Sequence, residues 1–322
     1  MFRETYASHA VEIYNYMKNV PYCIDKGELY SVEELYEGYD PTQPDSYKTC
    51  YDTQVYQHVL NTGKITDIPL EIAARAHHDV CLRLATVRFL DQYPQRHVVG
   101  IMGGHSLSRT SPAYRQAVDV SKRLTEMGYL MISGGGPGAM EATHLGAWLA
   151  GRPSEDVDHA LDILASSPTF QDETWLADAF RVREIFPLQH DYKSLAIPTW
   201  FYGHEPPCAF ATHLTKLFDN SVREDMILTE AYGGLIFMEG SAGTLQEIFQ
   251  EAVQNHYCSL SYPSPMIFVG CKFWTEEVPV VPFMRHMIDS GRYRNILLHL
   301  TDTTEDIIDI VSDFENVSCC LS

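Results

Sequence analysis

From Gln95 onward, short apolar runs alternate with amphipathic stretches and are joined to them by glycine-rich turns, an order that few folds accommodate. Residues 98–102 and 129–133 are apolar runs, each followed by glycines, and 196–202, 235–238, 266–269 and 296–300 are further runs of strand length. Between and after them, residues 114–127, 139–150, 212–230, 245–256, 282–290 and 304–314 have helical patterning. Strands that are apolar throughout must be covered on both faces, so the alternation predicts an α/β fold, a Rossmann-like doubly wound parallel sheet. Ligands of such sheets bind beyond the carboxyl ends of the strands. This domain spans 95–322, with a long acidic insertion at about 154–186 between the second and third strands.

Residues 1–94 read differently, as a helical N-terminal extension. Tyr, Asp and Glu are frequent up to Asp67, with a turn-rich patch from Asp40 to Asp45. Beyond it, Ile72, Ala76, Val80, Leu84, Val87 and Leu90 recur every three or four positions. That period predicts a helix with this face buried, ended by Tyr93-Pro94.

Composition narrows the partners. Lys and Arg total 23 against 43 Asp and Glu, a formal charge of −20, which opposes binding to nucleic acid or to an anionic membrane. No apolar run approaches the roughly 18 residues of a membrane span. The first residues carry both charge signs and no apolar block, so a cytoplasmic location is expected. The eight cysteines (Cys23, Cys50, Cys81, Cys208, Cys258, Cys271, Cys319 and Cys320) are scattered, form no CxxC motif, have no His read at zinc-ligand spacing, and read as reduced and mostly buried, with the last two in a mobile tail. His77 and His78 are adjacent, so on a helix they diverge by about 100° and do not share an ion. No metal and no cofactor is expected.

Two segments carry the chemistry. Ser133, Gly134, Gly135, Gly136, Pro137, Gly138, Ala139, Met140 and Glu141 follow a strand and open a helix. Glycines there let the backbone turn tightly and approach a ligand, and the helix start offers free N–H groups and a positive dipole end. Pro137 breaks the dinucleotide GxGxxG spacing, no acid ends a second strand about 20 residues later, and no Gly-Lys-Ser/Thr makes a P-loop. A tight turn without a ligand is the alternative. The second segment, Glu239, Gly240, Ser241, Ala242, Gly243, Thr244, Leu245, Gln246 and Glu247, again joins a strand to a helix. Glu247 stands one helical turn beyond Thr244, placed as an acid–base group, or else as the partner of Thr244 in a capping box. Gly104 and His105 stand at the first strand's carboxyl end, where His105 could contact a ligand or be a turn histidine without one. Trp200 and Tyr202 could stack on a ring or belong to the core. Lys193 and Lys272 have no Schiff-base surroundings.

The stretches SGGGPGAMEATHLGA and GSAGTLQE resemble the GGGxxGxM and PGGxGTxxE signatures of the Lonely Guy (LOG) phosphoribohydrolases, often misnamed lysine decarboxylases. Glu205-Pro206-Pro207, followed 18 positions later by Arg223, resembles the bacterial purine/pyrimidine-nucleotide 5′-monophosphate nucleosidases, which also carry N-terminal extensions. The motif's Pro is Glu239 here, its second Gly is Ser241, the Lys usual after the Arg is Glu224, and Arg223 lies one residue beyond the LOG spacing. The resemblance implies hydrolysis of the N-glycosidic bond of a nucleoside 5′-monophosphate to free base and ribose 5-phosphate. It assigns catalysis to Arg223 and Glu247, and binding to Gly104, His105, Gly134, Gly135, Gly136, Pro137, Gly138, Met140, Glu141, Gly240, Ser241, Ala242, Gly243 and Thr244. Glu247 would stabilise positive charge developing on the ribose, and Arg223 would order the substrate. A non-catalytic nucleotide sensor of the same fold is the alternative. The resemblance also implies a homodimer or higher homo-oligomer; the helices over 214–228 and 245–254, apolar on more than one face, need a second partner, either another chain or the N-terminal extension of a monomer.

Overall fold

The computed structural model describes residues 11–189 and 191–315; Cys319, Cys320 and the first ten residues, on which readings were made above, lie outside the described residues. Seven parallel strands form one sheet: β1 (Val98–Met102), β2 (Leu130–Ser133), β3 (Ser194–Ala196), β4 (His213–Leu214), β5 (Gly234–Phe237), β6 (Pro265–Val269) and β7 (Leu297–Thr301). Their spatial order is β4-β3-β2-β1-β5-β6-β7. Gly100 of β1 pairs with Ile132 on one side and Leu235 on the other, which centres the sheet on β1. Val99, Ile101, Ile132, Ile236 and Ile267 are fully buried, as strands covered on both faces require.

The covering helices alternate with the strands. They are α4 (Pro112–Glu126) and α5 (Ala139–Trp148), then α6 (Ser154–Leu164) and α7 (Trp175–Ile185) of the insertion. After β4 come α8 (Asn220–Glu230), α9 (Ala242–Tyr257), α10 (Val280–Asp289) and α11 (Thr304–Glu315). Helix α4 packs on α5 and α11, while α8 packs on α9. The expected Rossmann-like α/β sheet is therefore what the chain forms.

Two segments differ from expectation. The run at 196–202 is a strand only to Ala196; Thr199 then accepts a hydrogen bond from the Phe201 N–H and starts a turn of 3₁₀ helix over Trp200–Tyr202. The helix expected from 212 begins only at Asn220. Its first residues instead form β4 beside β3, and Asp219 caps the shortened helix by accepting from the N–H groups of Ser221 and Val222.

The extension contributes α1 (Val32–Leu35), α2 (Tyr51–Thr62) and α3 (Pro69–Leu90). Tyr30 exchanges backbone hydrogen bonds with Leu214, both at 2.9 Å, so the extension covers the exposed edge of β4. The α3 period is as expected, but its buried face is the opposite one. Ile72, Val80, Leu84 and Val87 are half or more exposed and Ala76 is also exposed, whereas Glu71, Ala74, Arg75, His78, Asp79, Leu82 and Phe89 are buried. Burial of those charges is affordable because each finds a partner. Glu71 accepts from Arg75 Nε (2.7 Å) and Tyr16 Oη (2.7 Å), and Asp79 accepts from the backbone N–H groups of Phe218 and Asp219.

Among the described residues, no helix is long and apolar enough to cross a membrane. The described cysteines are free thiols, but only Cys50 and Cys208 are buried, so the expectation of mostly buried cysteines does not hold.

Candidate functional site in the crevice at the sheet's switch point

The strand order reverses direction at β1 and β5. The chain leaves β1 toward β2 and leaves β5 toward β6, so the two loops diverge and open a crevice at the carboxyl ends of the strands. Their bases are held together: Met238 N–H donates to Met102 O (2.8 Å) and Gly104 N–H to Glu239 O (2.9 Å). The glycine loop forms the third wall. Gly138 has φ +69°, and a Cβ there would stand 2.3 Å from the carbonyl oxygen of Gly104, so packing alone demands glycine at the start of α5. Under the loop, Ser133 Oγ contacts His144 Nε2 (2.8 Å), and His144 Nδ1 contacts Ser194 Oγ (2.9 Å). Burial lowers the pKa of that imidazole to about 3, so it is a neutral brace for the loop.

Arg223 reaches the loop from α8. Its Nε donates to Ile197 O (3.0 Å) and its Nη2 to Gly134 O (3.5 Å). A Cβ on Gly134 would lie 2.1 Å from that Nη2, so the missing side chain is the space the guanidinium occupies. The helix bearing Arg223 is positioned from the extension, through Asp79 on the backbone of Phe218 and Asp219 and Asp219 on the start of α8. Met140 packs its thioether over Gly134 and Gly136.

Glu247 stands beside Arg223 on α9. Burial of its carboxyl raises the pKa to about 7; Arg223 opposes the rise and Glu224 adds to it. The capping-box alternative fails on geometry. Ser241 is the N-cap residue and Thr244 is the third residue inside the helix, buried against Gly240. Ser241, Ala242 and Gly243 are exposed at the helix start, where first-turn N–H groups have no acceptor within the helix. Glu224 accepts from Gln246 Nε2 (2.6 Å) and Asn220 Nδ2 (2.7 Å), which turns it toward α9 and α8.

Glu141 occupies a different position from the other candidates. It is fully buried and accepts a two-point ion pair from Arg109, at 2.9 Å from Nε and 2.5 Å from Nη2, and a hydrogen bond from Tyr114 Oη (2.8 Å). Arg109 also donates to Ser167 Oγ and Trp175 O, so the pair ties α5 to the insertion. A cavity of about 120 Å³ adjoins it, lined by His105, Pro137, Gly138, Glu141 and Phe170. Phe170 and Trp175 separate it from a cavity of about 570 Å³ between the insertion and the extension, walled by Tyr36, Tyr39, Tyr47 and Asp52. Trp200 belongs to the core and donates to Asp52, while Tyr202 is exposed.

Gly104, His105, Gly134 to Gly138, Met140, Arg223, Gly240 to Thr244 and Glu247 thus surround one crevice. Glu205 joins them: one of its oxygens lies 3.7 Å from His105 Nδ1, and the other faces Gly136. Its only sequence signal was the Glu-Pro-Pro stretch. Arg109, the partner of Glu141, had none.

No family model matches the chain, and no curated protein does. Solved structures do match. The molybdenum cofactor binding protein from the phototrophic bacterium Rippkaea orientalis is 12% identical over 68% of this chain and 97% of that one, with a TM-score of 0.41. A molybdenum cofactor carrier protein from Chlamydomonas reinhardtii is 14% identical over 68% and 98%, with a TM-score of 0.42. A second carrier structure from that alga is 15% identical over 68% and 96%, at 0.40. These findings overturn the expected LOG membership, because no model of that family matches and the matched structures bear another description. Hydrolysis of a nucleoside monophosphate, and that nucleotide as partner, fall with it. The physical reason lies in the motifs themselves. Gly134 and Gly138 are required by the close approach of Arg223 and of the Gly104 carbonyl, so a glycine-rich strand–helix turn marks a doubly wound sheet more than a family.

Proposed function

We propose that the switch-point crevice binds a small phosphorylated molecule. The observation that carries this reading is the meeting of the exposed start of α9 and the guanidinium of Arg223 at the glycine loop, in a chain of strongly negative net charge. Glu205 and Glu247 stand at the same rim, so they suit a ligand that also carries hydroxyl or amino donors. The ligand is given by its chemistry alone, because likeness at TM-scores of 0.40–0.42 transfers none from the molybdenum cofactor proteins. A second reading, that the protein also transforms its ligand, is supported by Glu247, whose pKa of about 7 suits a proton-transfer group at neutral pH. The free thiols of the described cysteines support a reducing, cytoplasmic location.

The test is calorimetric titration with phosphorylated sugars and phosphate esters of planar heterocycles, each beside its dephosphorylated counterpart. At least one ester should bind where its counterpart does not. Arg223→Ala should weaken that binding roughly 10- to 100-fold, the loss expected for a charge-assisted hydrogen bond. Equal binding of both members of every pair, or an unchanged affinity in the variant, would overturn the reading.

A further inference from the structure

The loop that follows Tyr22 faces the outer side of α3. We infer that Asp25, His77 and Cys81 form a site for a zinc-type divalent transition metal that fastens this loop to the helix. His77 and Cys81 are four residues apart on α3, one turn, so their side chains lie on one face. Asp25 comes from the loop. Its Oδ1 is 2.6 Å from His77 Nε2, and Cys81 Sγ is 3.5 Å from the same nitrogen. The donor atoms of these three residues all lie within 4.8 Å of one another. Tetrahedral ligands at zinc bond lengths of 2.0–2.3 Å stand about 3.5 Å apart, so small side-chain rotations close the set.

A set of one sulfur, one imidazole nitrogen and one carboxylate oxygen, with water in the fourth position, selects zinc and similar ions over magnesium or calcium, which take oxygen alone. The Cys81 thiol releases its proton to solvent as it binds the ion. His78 takes no part. It is buried, with Nδ1 2.8 Å from Asp79 and Nε2 2.9 Å from Tyr30 Oη. Both His78 nitrogens are thus occupied, and the spacing that matters is His77-x-x-x-Cys81.

A metal here would strengthen a contact to α3 that Arg88 Nη2 also makes, donating to Gly27 O at 2.7 Å. Titration of the reduced full-length protein with Co²⁺ tests the site, because tetrahedral thiolate coordination gives intense visible bands and a near-ultraviolet sulfur-to-metal band. One equivalent should develop both, and Zn²⁺ should bleach them. Cys81→Ser and His77→Ala should each weaken binding at least tenfold while far-ultraviolet circular dichroism stays unchanged. Cys271→Ser, outside the cluster, serves as the control and should change nothing. Absence of a sulfur band in the parent protein, or its persistence in Cys81→Ser, would overturn the site.

Discussion

A carboxyl group next to an arginine titrates near neutrality only when loss of hydration outweighs attraction to the guanidinium. Glu247 meets that condition beside Arg223. The sign of its effect on stability follows. Between its ordinary pKa of 4.5 and about 7, the folded chain keeps a proton that the unfolded chain has lost, so this group makes folding less favourable as pH rises through that window. The slope is at most about 1.4 kcal/mol per pH unit. Glu247→Gln removes the titration but keeps the shape. Thermal denaturation should show the variant more stable than the parent at pH 8, with the difference nearly gone at pH 5. Parallel pH profiles would show that Glu247 is charged in the fold. Residue types at the crevice could be read from the chain, because glycines, a helix start and an acid one turn on are local patterns. Their partners could not. The Arg109–Glu141 pair joins residues 32 positions apart, and nothing local separates a buried Glu141 from one that faces a ligand.

Helix α3 shows what periodicity can and cannot decide. Ile72, Val80, Leu84 and Val87 mark the helix and its period, yet they face outward. The buried side carries Glu71, Arg75, His78 and Asp79, which reads as solvent-facing until its partners are known, and the partners of Asp79 lie about 140 positions away at Phe218 and Asp219. Single substitutions two positions apart separate the two faces. Leu82→Ala, at a fully buried position, should cost about 2–5 kcal/mol in chemical denaturation. Leu84→Ala, at a position 58% exposed, should change stability by no more than about 0.5 kcal/mol. The reverse ranking would mean that the apolar stripe is the packed one. Strand β4 escaped notice for a related reason: its two residues are strand only because β3 and Tyr30 pair with them from either side.

At the scale of the whole molecule, the alternation of apolar runs and amphipathic stretches was enough to specify the parallel sheet, and the sheet's order then dictates where a crevice must open. What the crevice holds depends on side chains that three separate helices bring together, and neither motif spacing nor overall likeness supplies that. The account rests on a phosphate meeting the glycine loop before α5 and the start of α9 at the same time. Amide chemical-shift mapping by heteronuclear NMR, with whichever phosphate ester binds in calorimetry, examines that contact directly. The account predicts saturable shifts at both Gly134–Gly138 and Ala242–Thr244 with a common dissociation constant. Shifts confined to the cavity around Tyr39, Tyr47 and Trp175, with both helix starts unmoved, would contradict it.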